Sequence, residues 1–273
     1  MSIELAGTLV LVGAGKMGGA MLEGWLDSGA DAKRIVALDP APPPEVKVLL
    51  ERHAIRLNPP VATIADASVV VIAVKPQLME DVLPGIVSLG RSRPLILSIA
   101  AGKTIASFAR HFGADAAIIR TIPNTPAAIG RGITAMVANP QVSPAQLELA
   151  RQLLSAVGEV VGVADEALID AVTAVSGSGP AYVFYLTEVL AAAGQKVGLA
   201  PDLAMQLARA TVSGAGELMR LSGQPAATLR QNVTSPKGTT DAALQVLMAE
   251  DGLQPLFDKA IAAATKRSRE LAS

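Results

Sequence analysis

One stretch near the start, Thr8 to Trp25 (TLVLVGAGKMGGAMLEGW), limits the fold of this 273-residue chain more than any other. A short apolar run, Leu9 to Val12, meets a glycine-rich turn and then a helical pattern. Gly13, Gly15 and Gly18 fit G-x-G-x-x-G. In that arrangement the first glycine permits the tight turn and the second lets backbone approach a pyrophosphate. The third lets helix and strand pack closely. The unpaired amides at the helix start, with the positive end of its dipole, then hold the phosphates. Gly13, Ala14, Gly15, Lys16, Met17 and Gly18 are therefore the first candidate cofactor contacts. Such a turn also serves packing alone, but the strand before it and the helix after it favour a dinucleotide.

The chain beyond this turn repeats the strand–helix alternation. Arg34 to Leu38 reads as a second strand ending at Asp39, 21 positions after Gly18. An acid near that distance hydrogen-bonds the adenosine ribose hydroxyls and repels a 2′-phosphate. The competing reading is a loop aspartate that opens the turn Pro40 to Pro44. Glu45 to His53 reads as a helix. Ser68 to Val74, Leu95 to Ile99 and Ala116 to Arg120 are continuous apolar runs, as in strands buried on both faces of a parallel sheet. Helical windows, Gln77 to Leu89 and Thr104 to Phe112, lie between them. Gly132 to Ala138 and Glu159 to Val163 are further strands, separated by a helix that Ser143 caps and Pro144 opens. Ligands gather at the carboxyl ends of parallel strands, so Lys75-Pro76, Ser98 to Gly102 and Pro123 to Pro126 are candidate site walls.

From Asp165 the strand-like runs stop. Helical windows follow at Leu168 to Val175, Pro180 to Val197, Pro201 to Leu221, Thr239 to Glu250 and Leu253 to Leu271. The expected fold is α/β: an N-terminal Rossmann dinucleotide-binding domain, residues 1–163, followed by an all-helical domain, residues 164–273. The chain is 51% hydrophobic with only 3% aromatics, so its core is built from Ala, Val, Leu and Ile. Such composition often hides surface in an oligomer. A net charge of −1 and no basic stripe argue against nucleic acid or an anionic membrane surface as partner. With no apolar run of membrane-spanning length and no signal-type pattern, a soluble cytoplasmic protein is expected. The absence of cysteine excludes disulfides, thiol catalysis and thiolate metal sites, and no metal-binding set is read.

Two helix starts in the second half stand out. Ser176-Gly177-Ser178-Gly179-Pro180 precedes AYVFYLTEVL, and Thr234-Ser235-Pro236-Lys237-Gly238-Thr239-Thr240 precedes DAALQVL. Each places small residues and unpaired amides where a small carboxylate can bind without an arginine. Ordinary capping explains either one alone.

Taken with VGAGKMGGAM at the start, AVKPQ at Ala73 to Gln77, SIAAG at Ser98 to Gly102 and PNTP at Pro123 to Pro126, these segments resemble the pyrroline-5-carboxylate reductase family over essentially the whole length. AVSGSGPAYVF and NVTSPKGTTDAAL are the specific segments. The resemblance implies reduction of a cyclic imine, 1-pyrroline-5-carboxylate, to L-proline with NADH or NADPH. It also implies a homodimer interlocked through the helical domain, assembled in many members into decamers. Residue by residue, it implies that Asn58, Ala73, Lys75, Pro76, Ala100 and Ala101 line the cofactor beside Gly13 to Gly18. Gly238, Thr239 and Thr240 would receive the substrate carboxylate and ring nitrogen, with Ser176 and Ser178 nearby. Thr240 is the candidate catalytic contact to the nitrogen.

Two features depart from the family pattern. Lys237 stands where the family commonly has glycine, and either points to solvent or adds charge near the substrate carboxylate. Asp39, followed by prolines, offers no clamp for a 2′-phosphate, so NADH is expected to serve at least as well as NADPH. His53 and His111 fall at helix ends and are read as surface residues. The competing enzymes are other Rossmann imine reductases and 3-hydroxyacid dehydrogenases. In the latter a catalytic lysine would be expected on a second-half helix, where Lys196 lacks its usual asparagine. A non-catalytic NAD(P)-binding protein is the remaining alternative.

Overall fold

A computed structural model describes residues 3–272. Its strands are β1 (Thr8–Val12), β2 (Ile35–Leu38), β3 (Arg56–Leu57), β4 (Ala67–Ile72), β5 (Leu95–Ser98), β6 (Ile118–Ile122), β7 (Gly132–Ala138) and β8 (Gly158–Gly162). They form one sheet in the order β3-β2-β1-β4-β5-β6-β7-β8. Neighbours are parallel throughout except β7, which runs antiparallel to β6. From β1 the chain moves outward to β2 and β3, then returns to place β4 on the other side of β1. That reversal opens a crevice outside the carboxyl ends of β1 and β4.

The apolar runs follow from helices on both faces. These are α1 (Lys16–Asp27), α2 (Pro44–Arg52), α3 (Met79–Ile86), α4 (Ile105–Phe112), α5 (Pro144–Ser155) and the short α6 (Ile169–Val172). Leu9, Leu11, Val69, Val71, Leu95, Leu97 and Ile119 share one core with Met21 and Trp25 of α1 and Leu153 of α5. Alternate residues, Val10, Val12, Val70, Ile72, Ile96 and Ile118, share the other with Met79, Leu83 and Phe108. The fully buried Trp25 donates from Nε1 to the Leu153 carbonyl at 2.8 Å, which ties α1 to α5 as well as filling the layer.

The sixth strand lies two residues later than its apolar pattern implies. Thr121 and Ile122 continue the ladder because β7 pairs with them, Thr121 with Met136 and Ile122 with Ala135. The window Gln77 to Leu89 is α-helical only over α3, with 3-10 turns at Pro76–Leu78 and Val87–Ser92 on either side.

The chain forms two compact units. One runs through Gly177 and includes the residues from Thr265 on; the other is Ser178–Ala264. The strands end earlier, at Gly162. The second unit contains α7 (Gly179–Lys196), α8 (Pro201–Ser222), α9 (Ala226–Asn232) and α10 (Thr239–Leu247). It also holds the part of α11 (Leu253–Ala272) that precedes Thr265. Among the described residues the buried cluster joining α7 and α8 is Ala191, Ala204 and Ala208. Phe184, Tyr185, Leu186, Leu203, Leu207 and Leu218 are all left exposed on these two helices.

Candidate active site

The three fingerprint glycines serve three separate geometric needs. Gly13 has φ +91°, and a Cβ there would stand 2.9 Å from the Ala73 carbonyl and from Val74. A Cβ on Gly18 would stand 2.2 Å from the Gly13 carbonyl oxygen, so helix and turn touch there through bare backbone. A Cβ on Gly15, by contrast, would meet nothing within 4 Å. Gly15 is also the residue before α1, whose start has no side-chain cap and no acid in its first turn. Open space in front of free amides, at the positive end of a twelve-residue helix, suits a pyrophosphate. The residues present therefore fit a dinucleotide.

Asp39 is bound into this turn. Its Oδ2 accepts from the Ala14 amide at 2.7 Å, and its Oδ1 from the Ala41 amide at 2.8 Å. Asn58, in the left-handed region at φ +51°, pairs with the Asp39 backbone like a strand neighbour. Its Oδ1 accepts from the Asp39 amide at 2.8 Å, and its Nδ2 donates to the Asp39 carbonyl at 2.7 Å. Asn58 thus holds Asp39, and Asp39 holds the glycine turn. The carboxylate stays half-buried at the end of β2 with its charge fixed in place.

The other walls follow β4 and β5. Ala73 donates its amide to Val12 at 2.7 Å, and Lys75-Pro76 begin the 3-10 turn beyond it, with Lys75 exposed. After β5, Ser98 Oγ accepts from the Ala100 amide at 3.2 Å. Ala100 is buried and Ala101 exposed. Lys103 then reaches Glu80 at 3.0 Å, with His111 3.6 Å from the same carboxylate. The hydrogen bond from Lys103, and then its charge, hold the Glu80 carboxyl below its ordinary value. Desolvation opposes this, and the charges of His111 and Arg110 add lesser lowering contributions. This contact is complete above the ordinary carboxylate range and is lost as pH falls through the lowered value.

Ser176 lies in a single π turn, Thr173–Gly177, that joins α6 to the residues before α7. Such turns recur at functional sites, and no composition signal marked this one. Its hydroxyl donates to the Val172 carbonyl at 3.0 Å, and its own carbonyl accepts from Asn124 Nδ2 at 3.2 Å. Asn124, from the PNTP segment, also accepts from the Ile133 amide at 2.9 Å, so it fastens the π turn to β7.

In the second unit, Ser178 precedes α7 without a side-chain cap, and Gly238 precedes α10 in the same way. Gly238 is extended (φ −82°, ψ 177°) and donates to the Ser235 carbonyl at 2.9 Å. A Cβ on it would stand 2.9 Å from that oxygen. Thr239 and Thr240 are the first two residues of α10. Lys237 is exposed and sits at φ +61°, a conformation that costs a non-glycine residue about 1 kcal/mol. Its amide donates to Asp241 Oδ2 at 3.0 Å, which steadies the turn. Lys196 is exposed at the end of α7. His53 is exposed at the end of α2, and His111 lies in the last turn of α4.

A switch-point crevice with a glycine turn, an acid after the second strand and a helical second half define a nicotinamide-dependent oxidoreductase of Rossmann type. The family model described as NADP oxidoreductase, coenzyme F420-dependent, matches residues 8–102. The model described as pyrroline-5-carboxylate reductase dimerisation matches residues 166–271. The chain is 42% identical to the pyrroline-5-carboxylate reductase of Pseudomonas aeruginosa over 97% of its own length and 96% of the relative's. The structure of a pyrroline-5-carboxylate reductase from Coxiella burnetii superposes with a TM-score of 0.91 at 33% identity, covering 98% of this chain and 100% of that one. The Plasmodium falciparum pyrroline carboxylate reductase, solved with NADP bound, superposes at 0.80 with 27% identity, covering 98% and 99%. The protein belongs to the pyrroline-5-carboxylate reductase family.

Proposed function

We propose that the protein reduces 1-pyrroline-5-carboxylate to L-proline, the last step of proline biosynthesis, in the cytoplasm. The carrying observation is full-length similarity to reductases of that name, joined to a glycine turn that leaves open space only at Gly15. When bound, a reduced nicotinamide dinucleotide supplies the hydride that the C=N carbon accepts. The chain's own part is to bind and orient. Gly13 to Gly18 hold the pyrophosphate, Asp39 takes the ribose hydroxyls, and Ala73, Lys75, Pro76, Ala100 and Ala101 wall the crevice. Asn58 acts through Asp39, which it positions. In this reading Gly238 and Thr239 receive the substrate carboxylate, Thr240 contacts the ring nitrogen, and Ser176 and Ser178 complete the pocket. An imine nitrogen is basic enough to arrive protonated, so positioning and electrostatics suffice without a strong general acid. Following NADH or NADPH oxidation with the imine, against 3-hydroxyacids run in the oxidising direction, tests the reading. Turnover of the imine is expected. Turnover of hydroxyacids alone, or dinucleotide binding without turnover, would sink it.

The fixed charge of Asp39 supports NADH over NADPH in this reading. Asp39→Ser keeps one acceptor for the backbone and removes the charge. It is expected to move the NADPH-to-NADH ratio of kcat/KM upward by about tenfold, or about 1.4 kcal/mol. An unchanged ratio in side-by-side kinetics would place the cofactor choice elsewhere.

The working unit we infer is a homodimer built by the helical unit, with dimers assembling further into decamers. An α7–α8 core of three alanines is too small to sustain helices of 18 and 22 residues, and their exposed large side chains need a cover. Phe184→Asp is expected to weaken self-association about hundredfold or more and lower activity with it, read by light scattering at several concentrations. An unaltered mass would exclude this face. Among the described residues no helix is long and apolar enough to cross a membrane.

A further inference from the structure

A charged side chain buried in a sheet is a poor filler of space, and Arg120 of β6 is only 3% exposed. Its Nη1 donates to Glu166 Oε1 at 2.8 Å, while the buried Nε and Nη2 have no hydrogen-bond partner among the described residues. Well-packed apolar residues in place of such a pair are often equally or more stabilising, so stability alone does not explain it. The arrangement around Glu166 does. The same Oε1 accepts from the backbone amide of Ile105, the first residue of α4, at 2.8 Å. One oxygen therefore joins three segments. They are β6, the start of α4 just after the Ala100–Gly102 wall, and the turn Glu166–Leu168 that leads through α6 into the π turn of Ser176. Neighbouring contacts fix the same wall from other sides. Gly102, at φ +72°, packs on Leu271, whose carbonyl oxygen lies 3.2 Å from where a Cβ would stand. Asp170, one turn beyond Glu166, accepts from the buried Ser268 at 2.6 Å.

We propose that Glu166 is a positioning residue for the dinucleotide: through Arg120 and the Ile105 amide it holds the Ala100–Gly102 wall in register with the π turn that carries Ser176. Apolar packing permits sliding, whereas a charge-assisted bond to two donors has direction as well as strength. The proposal rests on the reading that Ala100 and Ala101 line the dinucleotide.

Three variants of the full chain decide it: Glu166→Ala, Glu166→Gln, and Arg120→Met combined with Glu166→Ala. The readouts are Tm, NADH affinity by fluorescence, dinucleotide KM against kcat, and amide exchange over residues 100–108. Glu166→Ala leaves the guanidinium buried alone, so Tm falls and NADH affinity weakens about tenfold. Glu166→Gln keeps an acceptor oxygen and recovers most of that affinity. The double variant removes the buried charge and recovers Tm, yet dinucleotide KM and Kd stay raised about tenfold, kcat moves less, and exchange over 100–108 stays fast. Recovery of Kd together with Tm would make the pair a core filler and overturn the proposal. So would exchange that never changes. Fast exchange with a normal Kd would also overturn it, but through the assignment of Ala100 and Ala101 to the dinucleotide rather than through the bracing.

Discussion

Gly18→Ala is expected to weaken dinucleotide binding about hundredfold or more, because the added methyl has nowhere to go. It would stand 2.2 Å from the Gly13 carbonyl oxygen, 3.2 Å from the carbonyl carbon and 3.3 Å from Ala73 Cβ. All three are backbone or wall, and none is the yielding end of a long side chain. Gly13 is constrained as well: its φ of +91° is a glycine conformation, and a Cβ on it would stand 2.9 Å from the Ala73 carbonyl. The turn must open, and the amides before α1 lose their aim. Gly15→Ala separates ligand from fold. Its methyl meets nothing in the protein, and the backbone at φ −69° accepts it without strain. Tm should therefore hold while NADH affinity drops about tenfold, because the methyl enters the space of the pyrophosphate. Fluorescence titration of both variants with NADH is the measurement. Unchanged affinity in both would mean that the phosphates lie elsewhere.

Thr240→Ala is expected to lower kcat/KM about hundredfold while leaving the NADH Kd unchanged. The size follows from its proposed place. Thr240 is the second residue of α10, behind a Gly238 that is extended, hydrogen-bonded to Ser235 and too close to that carbonyl to carry a side chain. In this proposal the hydroxyl in the first turn of α10 is placed for the substrate nitrogen, and a polar contact set before the substrate arrives contributes most to a transition state. Thr240→Ser should recover most of the rate, because the hydroxyl returns without the methyl. Equal kcat/KM for the wild type and Thr240→Ala would remove this residue from the chemistry.

The parts of this protein that a reader of the sequence can find are those written locally. A run such as Leu95 to Ser98 marks a buried strand by composition alone, and Ser143-Pro144 marks a helix start by capping, later seen with Gln146 completing the box. The glycine turn is likewise contained in six residues, Gly13 to Gly18. Other features depend on partners far along the chain. Arg120 reads as the polar end of a strand until Glu166, 46 residues on, is seen beside it. Asn58 follows a two-residue strand too short for any alternation to show, and its bond to Asp39 spans 19 positions. The π turn at Thr173–Gly177 differs from the α-helix in its bonding offset, which no residue type announces. The proposed substrate-facing roles of Ser178, Gly238, Thr239 and Thr240 rest on motif resemblance; the structure shows that Ser178 and Gly238 precede helix starts without side-chain caps.

The path of the chain through its two units carries a consequence for how they evolve and how they can be handled. The backbone enters the helical unit at Ser178, leaves it at Ala264, and finishes with Ser268 on Asp170 and Leu271 against Gly102. Topologically, the helical unit is therefore an insert within the dinucleotide unit and not an appendage to it. No single cut yields either part whole. A fragment ending at Gly177 would leave Asp170 without its serine and the Ala100–Gly102 loop uncovered on one side. Exchange of helical units between relatives has to be made at two junctions, and the last two turns of α11 must travel with the glycine turn rather than with the helices that precede them.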